Sequence, residues 1–345
     1  MLRAIERELL LRKREFDTVQ VETIYFGGGT PSLLTSEELS SIFKVINAHY
    51  AVASNPEITL EANPDDLGKS QLIHLADSPI NRLSIGVQSF FERDLKLMNR
   101  AHNSQQAKES IELAKDYFEN ISIDLIYGIP EASDEQWLEN IQIALEFDLP
   151  HISSYALTVE PRTALESYIK KGLIKEVDEE QTERQYKLLR SNLEDHGFVH
   201  YELSNFGKKG FFSQNNTAYW RRKSYLGIGP SAHSFDGKRR SWNVRNNPKY
   251  IKAISSGELP MTDEILTKTD HYNEMVMTGL RTMWGVSLKE IEQNLGASYK
   301  NYLLEQVGSF IDQDLLYIEN DTLLLQKNAS FLSDGIAASL FKLNL

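Results

Sequence analysis

Residues 24–31 read Ile-Tyr-Phe-Gly-Gly-Gly-Thr-Pro, a β-rich run that leads directly into three consecutive glycines. Glycines leave the backbone uncovered, so its amide and carbonyl groups can hold a zwitterionic amino acid. The alternative interpretation is an ordinary turn between a strand and a helix. A helix is indeed predicted next, because Thr35-x-x-Glu38 fits a capping box. The flanking sequence decides between the two interpretations.

Strands and helices alternate around this stretch from the start of the chain to about residue 160. The pattern predicts a first helix over 1–16 and then five strands, over 21–26, 57–61, 82–87, 121–127 and 151–158. A helix follows each strand, and the best marked begins after Ser133, where Ser133-x-x-Gln136 fits a second capping box. Parallel strands need helical crossovers, so this alternation predicts a parallel sheet or barrel of the α/β class.

The rest of the chain has a different character. A charged helix over 178–196 and a strand over 199–204 are followed by residues 205–248, which are rich in glycine, asparagine and aromatic residues and show no clean periodicity. After Pro260 the pattern predicts helices and a hairpin, which together indicate a small winged-helix-like domain: helices at 268–283, 287–295 and 299–313, a hairpin at 315–318 and 322–326, and a last helix. The expected domains are 1–200, 201–260 and 261–345.

Composition restricts the function classes. The chain has 345 residues, enough for about two domains, with 41% hydrophobic and 25% charged residues. Its 49 acidic and 37 basic residues give a net charge of -12, which disfavours nucleic-acid binding. No apolar run approaches the roughly 18 residues of a membrane span, and the N-terminus lacks the apolar core of a signal peptide, so we expect a cytoplasmic protein. The absence of cysteine excludes disulfides and thiolate metal sites.

Polar residues recur at or just after the predicted strand ends. They are Glu61, Gln88, Arg100 and Asp124. Barrels of this kind keep their active sites at the carboxyl ends of their strands. Each residue alone fits a satisfied structural polar group, but four around one mouth favour a binding site.

Five blocks together resemble the HemN/HemW family of radical S-adenosylmethionine (SAM) proteins. They read Ile-Tyr-Phe-Gly-Gly-Gly-Thr-Pro-Ser, Glu-Ala-Asn-Pro, Leu-Ser-Ile-Gly-Val-Gln-Ser-Phe, Ile-Asp-Leu-Ile-Tyr-Gly-Ile-Pro and His-Tyr-Glu-Leu-Ser-Asn-Phe. The resemblance covers the whole chain and implies a partial (β/α)6-type radical-SAM barrel with a HemN-type C-terminal domain. It also implies that SAM is contacted by Gly28, Gly29, Thr30, Glu61, Gln88, Arg100 and Asp124, with Ala156 near the adenine.

One departure from the family pattern concerns the iron–sulfur cluster. Members of the family hold a 4Fe–4S cluster through Cys-x3-Cys-x2-Cys, and this chain has no cysteine. In the family a first strand and the cysteine loop precede a helix that resembles residues 1–16. We therefore expect that about one βα unit of ~30 residues is missing ahead of residue 1. The chain is expected to be inactive in radical chemistry, with no catalytic and no metal-binding residues of its own.

The segment Asn216-x-x-Tyr219-Trp220 and the glycine-rich residues 225–234 resemble the haem-chaperone branch of the family. Asn215 stands where that branch has a histidine thought to serve haem, and an amide is a poor iron ligand. His233 is then the preferred axial-ligand candidate, although an ordinary hydrogen-bonded loop histidine fits its position equally well. The resemblance thus implies haem contacts for Asn216, Tyr219, Trp220 and His233.

Three functions remain open at this point. The first is a haem chaperone that binds haem and SAM and passes haem to a recipient protein. The second is an oxygen-independent coproporphyrinogen III oxidase, which in this family requires the cluster. The third is a cluster-free protein that keeps only protein–protein contacts. The Asn216–Trp220 segment favours the first.

Overall fold

The computed structural model describes residues 1–15 and 19–343, so the last residue of the predicted first helix, Phe16, lies outside the described residues. The strands in chain order are β1 (Val21–Phe26), β2 (Val52–Ala62), β3 (Arg82–Gln88), β4 (Asn120–Tyr127), β5 (His151–Ala156), β6 (Val199–Glu202), β7 (Asn205–Gly207), β8 (His233–Phe235), β9 (Arg239–Asn243), β10 (Met261–Ile265), β11 (Val286–Ser287), β12 (Leu316–Glu319) and β13 (Thr322–Leu325). The helices are α1 (Leu2–Arg12), α2 (Ser36–His49), α3 (Lys69–Ala76), α4 (Glu92–Leu97), α5 (Ser104–Lys115), α6 (Asp134–Glu146), α7 (Ala164–Lys170), α8 (Glu179–Asp195), α9 (Gln214–Trp220), α10 (Asn247–Ser256), α11 (Lys268–Leu280), α12 (Leu288–Leu295), α13 (Ala297–Asp312) and α14 (Ser333–Ser339).

A curled seven-stranded sheet forms an open half-barrel with the strand order β1-β2-β3-β4-β5-β7-β6. Strands β2 to β5 pair in parallel, which confirms the predicted α/β class and the five predicted strands. The single strand predicted over 199–204 is wrong, because the chain turns after Glu202 and returns as β7, antiparallel to both β5 and β6. Glycine at position 207 leaves room for Phe212 to pack against the returning strand, because a Cβ at 207 would lie 2.8 Å from the Phe212 ring.

The two faces of the half-barrel sheet differ in polarity. Alternate residues of a strand face opposite sides, so one face is apolar and buried, for example at Leu60, Leu83, Ile123 and Ile152. The other face is polar. Its register aligns Glu61 with Ser84, Ser84 with Ser122, and Ser122 with His151. Polar side chains from four strands therefore meet on one face.

The expectation that residues 205–248 are irregular is wrong. They contain β7, α9, β8 and β9, and β8 and β9 form an antiparallel sheet with β10. Strands of three to five residues are too short for an alternating polar and apolar pattern to be recognised in the sequence. The β8–β9 turn is held by Asp236, whose side chain accepts hydrogen bonds from the amides of Lys238 (2.8 Å) and Arg239 (2.7 Å).

The chain divides into two compact units. The barrel unit contains residues 23–36 and 56–213, and the second unit contains residues 1–22, 37–55 and 214–345. In the second unit, helices α11 to α14 and the three-stranded sheet β11-β13-β12 share a core that includes Tyr272, Val276, Ile291, Leu303 and Leu323. This confirms the predicted helices with a hairpin. Among the described residues, no helix is both long and apolar enough to cross a membrane.

Candidate functional site

The glycine turn after β1 is held by the carboxylate of Glu61. Tyr25 Oη donates to Glu61 Oε1 at 2.8 Å, and the amide of Gly28 donates to Glu61 Oε2 at 3.1 Å. A Cβ on Gly27 would lie 2.8 Å from Glu61 Oε1, so only glycine leaves room for this carboxylate. Gly28 and Gly29 have φ values of 71° and 109°, which L side chains rarely adopt, and nothing lies within 4 Å of their missing Cβ atoms. The turn is therefore both fixed and open to a ligand.

Gln88 and Arg100 meet at Gly86, near the end of β3. Arg100 Nη2 donates to the carbonyl of Gly86 (3.0 Å) and to Asn63 Oδ1 (2.9 Å). A Cβ on Gly86 would lie 3.0 Å from Gln88 Nε2 and 3.3 Å from Arg100 Nη2. Gln88 has φ 69°, a strained backbone conformation for a residue with a side chain. Arg100 Nε is buried and has no hydrogen-bond partner in the described part of the chain, so it leaves a donor available for an acceptor such as a carboxylate.

Asp124 lies inside β4 rather than at its end. Burial raises the pKa of its carboxyl to about 7, a hydrogen bond from Ser153 opposes the rise, and the charge of Glu61 adds to it. Arg82 and the Ser84 hydroxyl, 3.4 Å away, also favour the charged form. The negative charge of Glu61 thus disfavours a second negative charge on Asp124. Asp124 is thus poised to change charge near neutral pH.

Contacts join some of the predicted SAM residues in two groups. Glu61 contacts the Gly28 amide, and Gln88 and Arg100 meet at Gly86. Thr30 precedes a short turn of helix, Pro31–Leu33, and Ala156 is the last residue of β5. A groove of about 620 Å³ lies elsewhere in the barrel unit, against Phe90, Glu92, Arg93 and Gln136, and includes none of the predicted SAM residues.

Sequence reasoning missed Tyr25, Asn63 and Gly86. Tyr25 orients Glu61, Asn63 orients Arg100, and Gly86 leaves space for two side chains. The signal for Asn63 was its position directly after the end of β2, where polar residues of such barrels face the active site. The contacts of Tyr25 and Gly86 join residues distant in sequence, and no local pattern records them.

The Asn216–Trp220 segment lies in the short helix α9. Tyr219 is 46% exposed, and its ring contacts Tyr225 edge-on with centroids 4.5 Å apart. Burial raises the pKa of Tyr219, although a hydrogen bond with Asn215 opposes the rise. Trp220 is half-buried, with the guanidinium of Arg281 at 5.8 Å from its ring centroid. The hydrogen bond with Asn215 therefore helps to hold Tyr219, whose partly exposed ring forms an accessible aromatic surface with Tyr225.

His233 begins β8 and is exposed. Its ring stacks on Trp242 at 6.0 Å, and within the described residues neither ring nitrogen has a hydrogen-bond partner. His151 is the opposite case: it is fully buried, and its ring nitrogens are hydrogen-bonded to Ser122 (2.7 Å) and Tyr201 (2.8 Å). An exposed imidazole with two unused nitrogens is chemically able to ligate a metal centre, whereas His151 is a structural group.

The glycine segment, residues 225–234, is held by the buried pair Glu8 and Arg12 of α1. Glu8 Oε2 accepts the amide of Gly229 at 2.8 Å, and Arg12 Nη1 donates to the carbonyl of Gly227 at 2.8 Å. A Cβ on Gly227 would collide with the carbonyl oxygen of His233. The glycine at position 227 is thus required by the backbone of the chain itself.

The residues present do not fit an iron–sulfur cluster. The 345-residue chain has no cysteine, and the part described by the structure has no group of three or more histidine, aspartate or glutamate residues able to hold a metal ion. The open glycine turn and the unpaired Arg100 Nε do fit the methionyl group of SAM, which carries an ammonium and a carboxylate.

Comparison with known proteins agrees with this fold. The model of the Radical SAM superfamily matches residues 3–144, and that of the HemN C-terminal domain matches residues 266–332. The structure of coproporphyrinogen III oxidase (HemN) from Escherichia coli superposes with a TM-score of 0.85 at 21% identity and covers 99% of this chain and 82% of its own, a likeness of fold alone. The half-barrel has the radical-SAM fold.

Curated relatives place the chain more narrowly. The heme chaperone HemW of Lactococcus lactis subsp. lactis is 36% identical over 305 residues, which is 88% of this chain and 80% of the relative. The heme chaperone HemW of Bacillus subtilis is 33% identical over 339 residues, 97% of this chain and 89% of the relative. The chain belongs to the HemN/HemW family.

Proposed function

We propose that this protein is a haem chaperone of the HemW type, which binds haem at the second unit and SAM at the barrel unit. The observation that carries the proposal is the set of relatives named heme chaperones, which are 30–36% identical over most of both chains. The accessible aromatic side chains of α9 and the unused imidazole of His233 support it. We further propose that it acts in the cytoplasm and passes haem to a recipient protein.

His233 would ligate the haem iron. Asn215 has no imidazole to offer, and its side chain already bonds Tyr219. His233 is exposed and begins a strand that is fixed by pairing with β9, so little ordering is needed before it binds. Tyr219 and Trp220 would supply aromatic surface for the macrocycle.

The Gly27–Thr30 turn, Glu61, Gln88, Arg100 and Asp124 would hold SAM, with Ala156 near its adenine. Glu61 is placed to accept from the ammonium of SAM, and Arg100 is placed to donate to its carboxylate. SAM supplies a sulfonium that bears the methionyl, adenosyl and methyl groups. The chain offers no thiolate for the family's 4Fe–4S cluster, so no reaction through the cluster is assigned to it.

The test is a haemin titration of the purified chain, followed through the Soret band. The parent should give a saturable shift, and His233→Ala should lose most of it because the axial ligand is gone. His49→Ala is the matched control, since His49 is also exposed and belongs to the same unit. If His233→Ala titrates like the parent, His233 is not the ligand. If the parent shows no saturable shift, the chaperone proposal is wrong.

A further inference from the structure

The residues around α9 form a basic region in an acidic protein. Residues 221–245 contain seven cationic side chains and only one acidic residue, Asp236, a local charge of +6 against -12 for the whole chain. The cationic residues are Arg221, Arg222, Lys223, Lys238, Arg239, Arg240 and Arg245. Such a concentration of one sign attracts ligands of the opposite charge.

Arg221 of this region and Arg281, which lies outside it, pack reciprocally on two tryptophans. The guanidinium of Arg221 lies 4.4 Å from the ring centroid of Trp284, and that of Arg281 lies 5.8 Å from the ring centroid of Trp220. Trp220 and Arg221 are consecutive at the end of α9, and Arg281 and Trp284 follow α11. We call these four residues the Arg–Trp clamp. Stacking on a ring holds a guanidinium in place while its N–H groups stay available.

Most of the neighbouring cations are already ion-paired. Lys223 pairs with Glu22, and Arg222 and Arg240 both pair with Glu274. Arg239 also has acidic partners, at Asp236 and Asp263.

The clamp arginines differ from these cations. Arg221 is exposed, and among the described residues it has no carboxylate within ion-pair distance. Arg281 bonds Asp334 at 2.7 Å, but that aspartate is 60% exposed and therefore easily displaced. Arg221 is thus an ordered guanidinium whose charge is not neutralised by the protein.

We propose that the Arg–Trp clamp is a carboxylate-binding subsite that holds the propionate groups of a haem bound at α9. The proposal rests on the proposed function and names the groups that recognise the ligand. Haem carries its two propionates on one edge of an apolar ring. A guanidinium binds a carboxylate through two parallel N–H···O bonds, and the aromatic residues of α9 lie next to Arg221 in sequence.

The experiment compares haemin with haemin dimethyl ester, in which both propionates are esterified. We expect the parent to bind haemin more tightly than the ester. Arg221→Gln should weaken haemin binding about tenfold, the effect of losing one charge-assisted pair, and should leave ester binding unchanged. Arg221→Lys keeps the positive charge but lacks the two parallel N–H donors of a guanidinium, so its haemin affinity should lie between those of the parent and Arg221→Gln.

Arg245→Gln is the charge-matched control, because it removes a cation of the same segment that is neither in the clamp nor ion-paired among the described residues. It should bind haemin like the parent. Ester binding by Arg221→Gln verifies that this variant is folded. The subsite proposal is overturned if Arg221→Gln weakens the binding of haemin and of the ester equally. It is also overturned if Arg245→Gln weakens haemin binding as much as Arg221→Gln does. A parent that binds neither compound overturns the haem-chaperone proposal instead.

Discussion

Asp124 shows how one residue of the polar sheet face is tuned by its surroundings. Its carboxyl titrates near pH 7 in the folded protein because burial disfavours the charged form, whereas an aspartate in an unfolded chain titrates near pH 3.9. Between about pH 4 and pH 7 the folded state therefore keeps a proton on Asp124 that the unfolded chain has lost. The stability contributed by this group is therefore complete below about pH 4 and is lost as the pH rises through about 7.

Asp124→Asn should remove this pH dependence. In urea denaturation, the parent's free energy of unfolding should fall by up to about 1.4 kcal/mol per pH unit between about pH 5 and pH 7, and this fall should be absent from the variant. At about pH 8 the variant should be more stable than the parent. Asp148→Asn is the control: the Lys208 hydrogen bond lowers the pKa of Asp148, so its titration lies below that window. Equal pH profiles for Asp124→Asn and the parent would show that Asp124 has an ordinary pKa.

At the scale of elements, helix α1 acts as the support of the glycine segment. Glu8 and Arg12 are 0% and 2% exposed, and Glu8 also accepts hydrogen bonds from Tyr250 (2.5 Å) and Asn243 (2.7 Å). A buried ion pair is tolerated when its remaining polar atoms are satisfied, as they are here. The segment that leads into β8 and His233 is consequently fixed by α1.

The close approach of the glycine segment to β8 is testable at Gly227. Gly227→Ala places a methyl group against the carbonyl of His233, so we expect a loss of about 1–3 kcal/mol in the free energy of unfolding. Gly308→Ala is the matched control, because Gly308 lies inside α13 with nothing near its missing Cβ. It should stabilise the protein by about 0.5–1 kcal/mol.

Urea denaturation of the two variants beside the parent decides the question. Haemin titration of Gly227→Ala then reports whether the moved segment disturbs His233. If Gly227→Ala is as stable as the parent, the backbone around residue 227 is not packed as described.

For the whole molecule, the main feature is a radical-SAM half-barrel without thiolates. The glycine turn, Glu61 and Arg100 are the residues proposed to hold SAM, but the chain provides no cysteine to hold the family's cluster beside it. The proposed binding of SAM would then rely on hydrogen bonds and ion pairs alone.

We expect SAM to bind weakly, and equally before and after anaerobic treatment of the protein with iron and sulfide. Isothermal titration calorimetry on both samples measures this directly. Glu61→Gln should weaken the binding further, because the amide side chain replaces a charged acceptor for the ammonium. Tight binding, or a marked gain in affinity after iron and sulfide treatment, would show that this chain holds a cluster through other ligands.

The sequence by itself determined the βα alternation and the C-terminal helices, but not β7, α9, β8 and β9 within residues 205–248. The five βα repeats, the glycine turn and the C-terminal helices with their hairpin were predictable, because alternation, glycine runs and capping residues act within a few positions of the chain. Ser133, for example, caps α6 as predicted and accepts the amide of Gln136. The absence of thiolate ligands also follows from the sequence alone.

Only the tertiary structure decided how these residues meet. The bond from the Gly28 amide to Glu61 spans 33 positions, the bond from Arg100 to Asn63 spans 37, and that from Arg12 to Gly227 spans 215. The Arg–Trp clamp likewise joins α9 to residues beyond α11. Such contacts depend on strand register and helix packing over the whole chain, and burial then sets the pKa of a group such as Asp124; local periodicity carries neither kind of information.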